Sequence, residues 1–405
     1  RNKRLKKFHN IVNSIIILDE VQSIPHRYWG LVRTVFRKMA QYLNCYFIFM
    51  TATMPLIFSE EDGEIYELAR NKKTYFNKFN RIVIDAKKVS EKMTIDEYKI
   101  LLFEDISSYK EDDFLVVLNT IRTSIEVYAF INEKFGEEAK IYYLSTNIIP
   151  RERLGRIKEI KESKKRRIII STQMIEAGVD IDIDRVYRDF GPMDSINQTA
   201  GRCNREWEGK SGVVTLVNLV NEKHNDKPYS SYVYDNVLME ETRTALLGCT
   251  LIEEREIFSF AKRYYEGIKR HGNDESKKLL ENIKELRYRT AFEHKKDADN
   301  VLVFELIRQE FETVDVFIEI DEEAKFVWNR YQEIKKIKDR FERRRKLNQH
   351  KKKLYSYVLS LPEFAVKKQM DIDEDGITFV SNEMLCSVYD GETGFKRDLE
   401  RDYFF

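Results

Sequence analysis

Runs of consecutive apolar residues punctuate the first half of the chain, and stretches with apolar groups at helical spacing lie between them. Ile15-Ile16-Ile17-Leu18 is continuous, as in a strand buried on both faces, and Asp19 and Glu20 follow at once. Residues Trp29 to Tyr42 carry Leu31, Val32, Val35, Phe36 and Met39 at helical spacing, and Tyr46 to Met50 reads as the next buried strand. A variable stretch from Leu56 to Asn80 leads to Arg81-Ile82-Val83-Ile84-Asp85, expected to be the last strand of a first α/β layer. A second series starts with a helix over Ile95 to Tyr109. It continues as strand Phe114 to Leu118, helix Ser124 to Phe135, strand Ile141 to Leu144, helix Arg151 to Ile160 and strand Arg167 to Ser171. Strand Val186 to Phe190, helix Ser195 to Asn204 and strand Val213 to Val217 complete it. Alternation at this rhythm specifies parallel sheets with helices on both faces.

From about Ser230 the rhythm changes to long polar helices between Tyr232 and Asp297. One strand-like run, Val314 to Ile320, interrupts them. A single long helix is expected from about Glu322 to Lys352, its apolar stripe formed by Val327, Tyr331, Ile334, Ile337 and Phe341. Short apolar runs at Tyr355 to Leu361 and Ile377 to Val380 make the tail a small β-rich domain. There is no internal repeat and no low-complexity segment.

With 405 residues, a prior of ~150 per domain gives two or three domains, each able to bury a core. Hydrophobic residues at 42% and charged ones at 34% are globular values that argue against disorder. No apolar run approaches the ~20 residues of a membrane span, and no signal-peptide core follows the basic start, so a cytoplasmic protein is expected. Cys45, Cys203, Cys249 and Cys386 lie far apart, which argues against zinc and for free thiols. Lys plus Arg number 70 against 69 Asp plus Glu, so a nucleic-acid partner must be held by local patches. The candidates are Arg1 to Lys7, Lys161 to Arg167 and Arg340 to Lys353, although charge runs of this kind are usually solvated helix faces.

Two short strings carry chemistry. Asp19-Glu20-Val21-Gln22 lies where ligands of open α/β sheets bind, at the carboxyl end of a strand. Asp19 suits Mg²⁺ there and Glu20 the water that attacks a γ-phosphate, although such a pair also simply ends strands. Gln198-Thr199-Ala200-Gly201-Arg202-Cys203-Asn204-Arg205 sets Arg202 and Arg205 three apart, on one helix face, where two guanidinium forks could meet a triphosphate. Taken alone, they are surface arginines. Two more strings stand between them in order: Met50-Thr51-Ala52-Thr53-Met54-Pro55, and Ser171-Thr172-Gln173-Met174-Ile175-Glu176-Ala177-Gly178-Val179-Asp180.

Together the four strings resemble the ATPase and coupling motifs of superfamily 2 helicases. Within that superfamily the chain is most similar to the helicase part of the CRISPR-associated helicase-nuclease of type I interference systems. The wording that carries this is Asp-Glu-Val-Gln, Thr-Ala-Thr-Met-Pro, Leu118-Asn119-Thr120, and Thr172-Gln173 with Glu176-Ala177-Gly178-Val179-Asp180. Tyr389-Asp390-Gly391-Glu392-Thr393-Gly394-Phe395 resembles that family's closing C-terminal motif, so the likeness covers essentially the whole chain. It implies an α/β fold with a partial first RecA-like layer, a complete second RecA-like parallel α/β domain, a helical linker and a small C-terminal α+β domain. The implied divisions are 1–88, 89–228, 229–345 and 346–405. The implied cofactors are ATP and Mg²⁺. The implied partners are single-stranded DNA, the CRISPR RNA-guided surveillance complex, and N-terminal helicase and nuclease segments not in this chain.

Roles follow residue by residue from the resemblance. Asp19 would hold Mg²⁺ and Glu20 the hydrolytic water. Gln22, Thr51 and Thr53 would couple the nucleotide and nucleic-acid sites. Gly178 and Asp180 would approach the ribose, Gln198 the γ-phosphate or its water, and Arg202 and Arg205 would be arginine fingers. Asn119, Thr120 and Thr172 would touch strand phosphates.

The chain departs from the family's pattern in several places. Leu144-Ser145-Thr146-Asn147 replaces a Leu-His-(small)-Arg turn, and Thr199 stands where helicases often have Arg. Nothing resembles Gly-x-x-x-x-Gly-Lys-Ser/Thr, and only 18 residues precede Asp19. The six histidines are scattered and none is followed by Asp, so the family's nuclease site is missing too. The chain is therefore expected to be the C-terminal portion of a longer ATP-dependent enzyme, inactive alone. Two other readings stand beside it: another superfamily 2 DNA translocase of restriction or repair, and a non-catalytic nucleic-acid- or partner-binding module.

Overall fold

The computed structural model describes residues 5–51, 53, 55–69, 71–207, 209–272, 274–287, 304, 312–367 and 376–397. In chain order its elements begin β1 (Ile15–Asp19), α1 (Trp29–Leu43), β2 (Tyr46–Met50), α2 (Lys72–Phe76), β3 (Ile82–Met93), α3 (Ile95–Ser108), β4 (Phe114–Val117) and α4 (Ile121–Phe135). Next come β5 (Lys140–Leu144), α5 (Pro150–Glu162), β6 (Arg167–Ser171), β7 (Arg185–Asp189), α6 (Met193–Ala200), β8 (Gly212–Asn221) and β9 (Lys227–Pro228). They are followed by α7 (Asn236–Leu246), β10 (Leu251–Glu253), α8 (Ile257–Arg270), α9 (Asp274–Lys284), β11 (Thr313–Ile318), α10 (Glu322–Lys335) and α11 (Arg340–Leu354). The chain ends with β12 (Val358–Pro362), α12 (Glu363–Lys367), β13 (Thr378–Val380), α13 (Asn382–Val388), β14 (Tyr389–Asp390) and β15 (Gly394–Phe395). Two units divide these elements. One is Arg1–Phe79 with Asn236–Gly248 and Glu254–Arg308; the other is Asn80–Asp235 with Cys249–Glu253 and Gln309–Phe405.

In the first unit β1 and β2 pair in parallel, Ile15 opposite Tyr46 and Asp19 opposite Met50. Period-two geometry puts Ile16, Leu18, Phe47 and Phe49 on one face. Phe36 of α1 covers it, stacked 4.5 Å from Phe47. The opposite face is open: Ile15 and Ile17 are 68% and 60% exposed, which corrects the expectation of burial on both faces. A continuous apolar run specifies a strand without specifying what covers it. In the same unit α9 lies against the segment before α1, Ser276 Oγ donating to the Arg27 carbonyl and Arg27 pairing with Glu275 at 3.7 Å.

The second unit is built on a sheet of order β10-β3-β8-β7-β4-β6-β5, with β9 paired to β8. Every pair from β3 to β5 is parallel. Fully buried Leu102, Ile106, Phe114, Val116, Ile131, Ile168, Ile170 and Val217 fill the core against α3 and α4. Thr94 starts α3 with a capping box, accepting from Glu97 N while Glu97 returns to Thr94 N. Here β3 pairs with β8, Ile82 opposite Gly212. The strand expected to close the first layer thus belongs to the second sheet, and the units divide at 79/80 instead of 88/89. Its apolar pattern marks a strand but not its partner.

The expected long helix is two, α10 and α11, because Asp339 leaves the helical path and caps α11 by accepting from Glu342 N. A three-stranded sheet, β12-β11-β13, packs on them through Phe317, Trp328, Tyr357 and Leu354. The small C-terminal lobe therefore recruits β11 and α10 from before residue 346. Part of the predicted helical stretch, 288–297, lies outside the described residues. Among those described, no helix is long and apolar enough to cross a membrane.

Candidate functional site

In the first unit Asp19 and Glu20 emerge, exposed, at the carboxyl end of β1. Glu20 turns the chain with a left-handed backbone (φ 53), and its N–H donates to Asp19 Oδ1 at 2.9 Å. Gln22, 7% exposed, donates from Nε2 to the Glu20 carboxylate. Its Oε1 stands 2.5 Å from Thr51 Oγ1, which also lies 2.6 Å from the Thr53 carbonyl. The Thr53 N–H donates back to Thr51 Oγ1 at 3.1 Å, and Thr53 Oγ1 is 3.1 Å from the Tyr265 hydroxyl on α8. The two motifs are thus one hydrogen-bond chain, Glu20–Gln22–Thr51–Thr53, with Tyr265 as a further member that no sequence signal marked. Ala52 and Met54 of the same motif lie outside the described residues.

Among the described residues no group of three or more His, Cys, Asp or Glu could hold a metal. Mg²⁺ takes one or two carboxylates and completes its shell with water and substrate phosphates. Asp19 is an oxygen donor of that kind, oriented by the Glu20 amide.

In the second unit the turn after β4 is not a surface. Asn119 and Thr120 are fully buried. Asn119 donates from Nδ2 to Asp189 Oδ2 at 2.7 Å and to the Phe190 carbonyl at 2.8 Å, and accepts from Arg188 at 2.7 Å. Thr120 caps α4, its side chain accepting from Thr123 N. Their side chains are committed to hydrogen bonds inside the fold. Thr172, just past β6, is 4% exposed, and Gln173 Nε2 donates to the Asn119 carbonyl at 2.8 Å.

A buried guanidinium organises this region. Arg188, 0% exposed, donates to Glu176 Oε1 (3.1 Å), Ser195 Oγ (2.8 Å) and Tyr234 OH (2.7 Å) besides Asn119. Burial raises the Glu176 carboxyl against the opposing pull of Arg188 and Ser195, and it pushes Asp189 up to about 7. The network joins the turn after β4, the turn after β6 and the start of α6, which carries Gln198 in its last turn. Sequence reasoning missed Arg188, Asp189, Ser195 and Tyr234, because no local pattern reports a buried charge hub.

Gly178 has φ +72, a left-handed position that suits glycine, and it lets the chain turn so that Asp180 faces outward. Asp180 pairs with Arg205 at 2.8 Å and with Lys161 at 3.5 Å. Arg202 points elsewhere, donating to the carbonyls of Ile175 (3.3 Å) and Glu176 (2.6 Å). The two arginines do not share a helix face: α6 ends at Ala200, and Asn204 takes φ 45. Cys203 forms a bridge to Ile183, which draws the chain out of the helix. The basic run ending at Arg167 is also used internally. Arg166 donates to the carbonyls of Ile106, Tyr109 and Asp112, and Arg167 pairs with Asp113 at 2.5 Å.

The turn Leu144 to Asn147 is occupied by the C-terminal motif. Phe395 N donates to the Asn147 carbonyl at 2.8 Å, and Arg156 reaches the carbonyls of Gly391 (2.5 Å) and Glu392 (2.6 Å). Tyr389 OH, 2.5 Å from Glu152, accepts from Ile149 N.

Residues 110–208, which hold Asn119, Glu176, Arg188, Asp189 and Ser195, match a family described as the C-terminal part of the CRISPR-associated nuclease/helicase Cas3. Over these residues the chain is similar to the C-terminal helicase part of Cas3. The Cas3 nuclease/helicase of Methanothermobacter thermautotrophicus is 24% identical over 244 residues, 57% of this chain and 28% of that protein. That of Haloferax volcanii is 46% identical over 76 residues, 17% of this chain and 8% of its own length. The crystal structure of T. fusca Cas3-AMPPNP has the same fold, with a TM-score of 0.60 at 14% identity over 96% of this chain and 54% of that one. The chain thus spans about a quarter of the first Cas3 relative and about half of the solved Cas3.

Proposed function

We propose that the chain is the C-terminal portion of an ATP-driven single-stranded DNA translocase of type I CRISPR interference, recruited to an RNA-guided surveillance complex. The observation that carries this is the hydrogen-bond chain from Glu20 through Gln22 and Thr51 to Thr53. It ties the acid that would handle a hydrolytic water to a threonine turn, so that a change at one is felt at the other. The Cas3 relatives and the AMPPNP-named structure support nucleotide as the ligand.

The first unit is part of one RecA-like layer, and the parallel sheet of the second is a complete layer. Asp19 holds Mg²⁺, which when bound neutralises phosphate charge. Glu20 orients and deprotonates the attacking water. Gly178 and Asp180 approach the ribose, Gln198 the γ-phosphate or its water, and Arg205 and Arg202 stabilise the transferring phosphoryl group. Asn119, Thr120 and Thr172, all buried, shape the turns after β4 and β6 that face the strand.

The test is ATP turnover by the full-length protein that contains this chain, with and without single-stranded DNA. Glu20→Gln should cut stimulated turnover by ~10³-fold or more while leaving the fold intact. Unchanged turnover would remove Glu20 from the chemistry. The chain as given contains no Gly-x-x-x-x-Gly-Lys-Ser/Thr loop to cradle phosphates and should show no turnover alone. Measurable turnover by the isolated chain would contradict this.

A further inference from the structure

Helix α11 has the sequence Arg-Phe-Glu-Arg-Arg-Arg-Lys-Leu-Asn-Gln-His-Lys-Lys-Lys-Leu, eight lysines and arginines against the single acid Glu342. The whole chain is nearly neutral, so this field is local. The helix is anchored along one narrow line. Leu354 is buried in the lobe's core, Leu347 packs against it, and His350 donates from Nε2 to the Val327 carbonyl at 2.9 Å. At ~100° per residue those three cluster together, and Phe341, Arg345 and Lys352 fall on the opposite face, with Arg344 beside it and Arg340, in the first turn, exposed.

A purely structural reading explains part of the charge. Lys351, Lys352 and Lys353 sit in the last turn, where the helix dipole favours cations, and Lys353 also pairs with Glu323 at 3.0 Å. Lys346 pairs with Glu342 at 2.8 Å. The first half of the helix has no such explanation. Arg340, Arg344 and Arg345 stand near the positive end of the dipole, where cations are unfavourable, and they have no ion-pair partner among the described residues. Arg340 and Arg344, four apart, repel each other. Beside them Phe341, expected in an apolar core stripe, is 84% exposed. At that exposure the Phe341 ring contributes almost no burial to the fold and stands open beside the guanidinium groups.

We infer that Arg340, Phe341, Arg344 and Arg345 form a docking surface for single-stranded nucleic acid. Arginine forks match phosphate oxygens, and an exposed ring offers a stacking platform for an unpaired base, the pairing that single-strand binders use. Duplex would use the cations but not the ring. Its binding is measurable without ATP, so it does not depend on the ATPase reading.

The experiment is a fluorescence-anisotropy titration of the 405-residue chain with labelled oligo-dT and with a duplex, at several salt concentrations from about 50 to about 200 mM. The triple variant R340Q/R344Q/R345Q should weaken oligo-dT binding at low salt by ~10-fold or more. It should also flatten the log–log salt slope by about 2, at roughly 0.7 for each phosphate that the missing guanidinium groups no longer neutralise. Phe341→Ala should weaken oligo-dT binding by ~5-fold or more with an unchanged slope, and leave duplex binding as it was. All these positions are exposed or lie on the free face, so circular dichroism should show intact folds. No binding by the wild-type chain, or unchanged affinity in both variants, overturns the proposal. Weaker binding by the triple variant with none in Phe341→Ala overturns its single-strand part and leaves a duplex or general polyanion surface.

Discussion

The Thr53 hydroxyl stands 3.1 Å from the Tyr265 hydroxyl, both buried, so the threonine turn of the first unit is fastened to α8. Tyr265 is itself held between rings, 4.9 Å from Tyr264 and 6.2 Å from Trp29. The relay from Glu20 therefore ends in packed helix and not in solvent. Tyr265→Phe keeps the ring packing and deletes one hydroxyl. It should lower stability by about 1 kcal/mol in thermal or denaturant unfolding. In the full-length protein it should slow strand-stimulated ATP turnover several-fold more than unstimulated turnover. Equal effects on both would reduce Tyr265 to a packing residue.

Asp189 gives the second unit a pH dependence whose sign is fixed. Burial raises its pKa from 3.8 to about 7, so the folded state holds a proton that the unfolded chain releases near pH 4. The stability from this group is fully present below about pH 4 and is lost as pH rises through about 7. Asp189→Asn removes the titration. The unfolding free energy of the natural chain, minus that of the variant, should therefore fall by roughly 2 to 3 kcal/mol between about pH 5 and about pH 8. A difference that stays constant would mean Asp189 is ionised throughout as the partner of Arg188.

Gly394 locks the C-terminal motif to the turn after β5. It has φ +86, and a Cβ there would come within 2.2 Å of the Asn147 carbonyl oxygen. Gly394→Ala combines left-handed strain with a backbone clash and should destabilise the chain by ~2 kcal/mol or more. Gly391→Ala, whose Cβ would meet nothing within 4 Å, is the matched control and should be nearly neutral. Similar melting temperatures for the two variants would show that the motif is not held as the structure places it.

Local pattern carried much of this fold. The run Arg167 to Ser171 is a strand at those residues, and Trp29 to Tyr42 is a helix to within one residue. Partnership was not legible: β3 joins the second sheet and β11 the C-terminal lobe because burial against distant segments decides pairing, which local periodicity does not encode. The motif strings marked Glu20, Gln22, Thr51 and Thr53, residues that the structure joins by hydrogen bonds. Asn119 and Thr120 were marked by wording, yet wording does not say whether a side chain turns outward. Arg188 carried no wording at all, and only three dimensions bring it to Glu176 and Ser195.

Arg202 and Arg205, alike in the sequence, should behave differently when removed. Arg205 makes an ion pair with Asp180 in which both side chains are about half exposed or more, at 44% and 67%. Such pairs are worth about 0 to 1 kcal/mol, so its guanidinium can leave Asp180 for a phosphate at little cost. Arg202 instead donates to the Ile175 and Glu176 carbonyls and so braces the turn that leads to Gly178 and Asp180. In the isolated chain Arg205→Ala should leave the melting temperature unchanged, whereas Arg202→Ala should lower it by an amount matching about 1 to 3 kcal/mol. In the full-length protein both should lose turnover by ~10³-fold if each also meets the transferring phosphoryl group. A destabilised Arg202→Ala enzyme that keeps near-normal turnover at a temperature where it is folded would make Arg202 a brace alone and leave Arg205 as the finger.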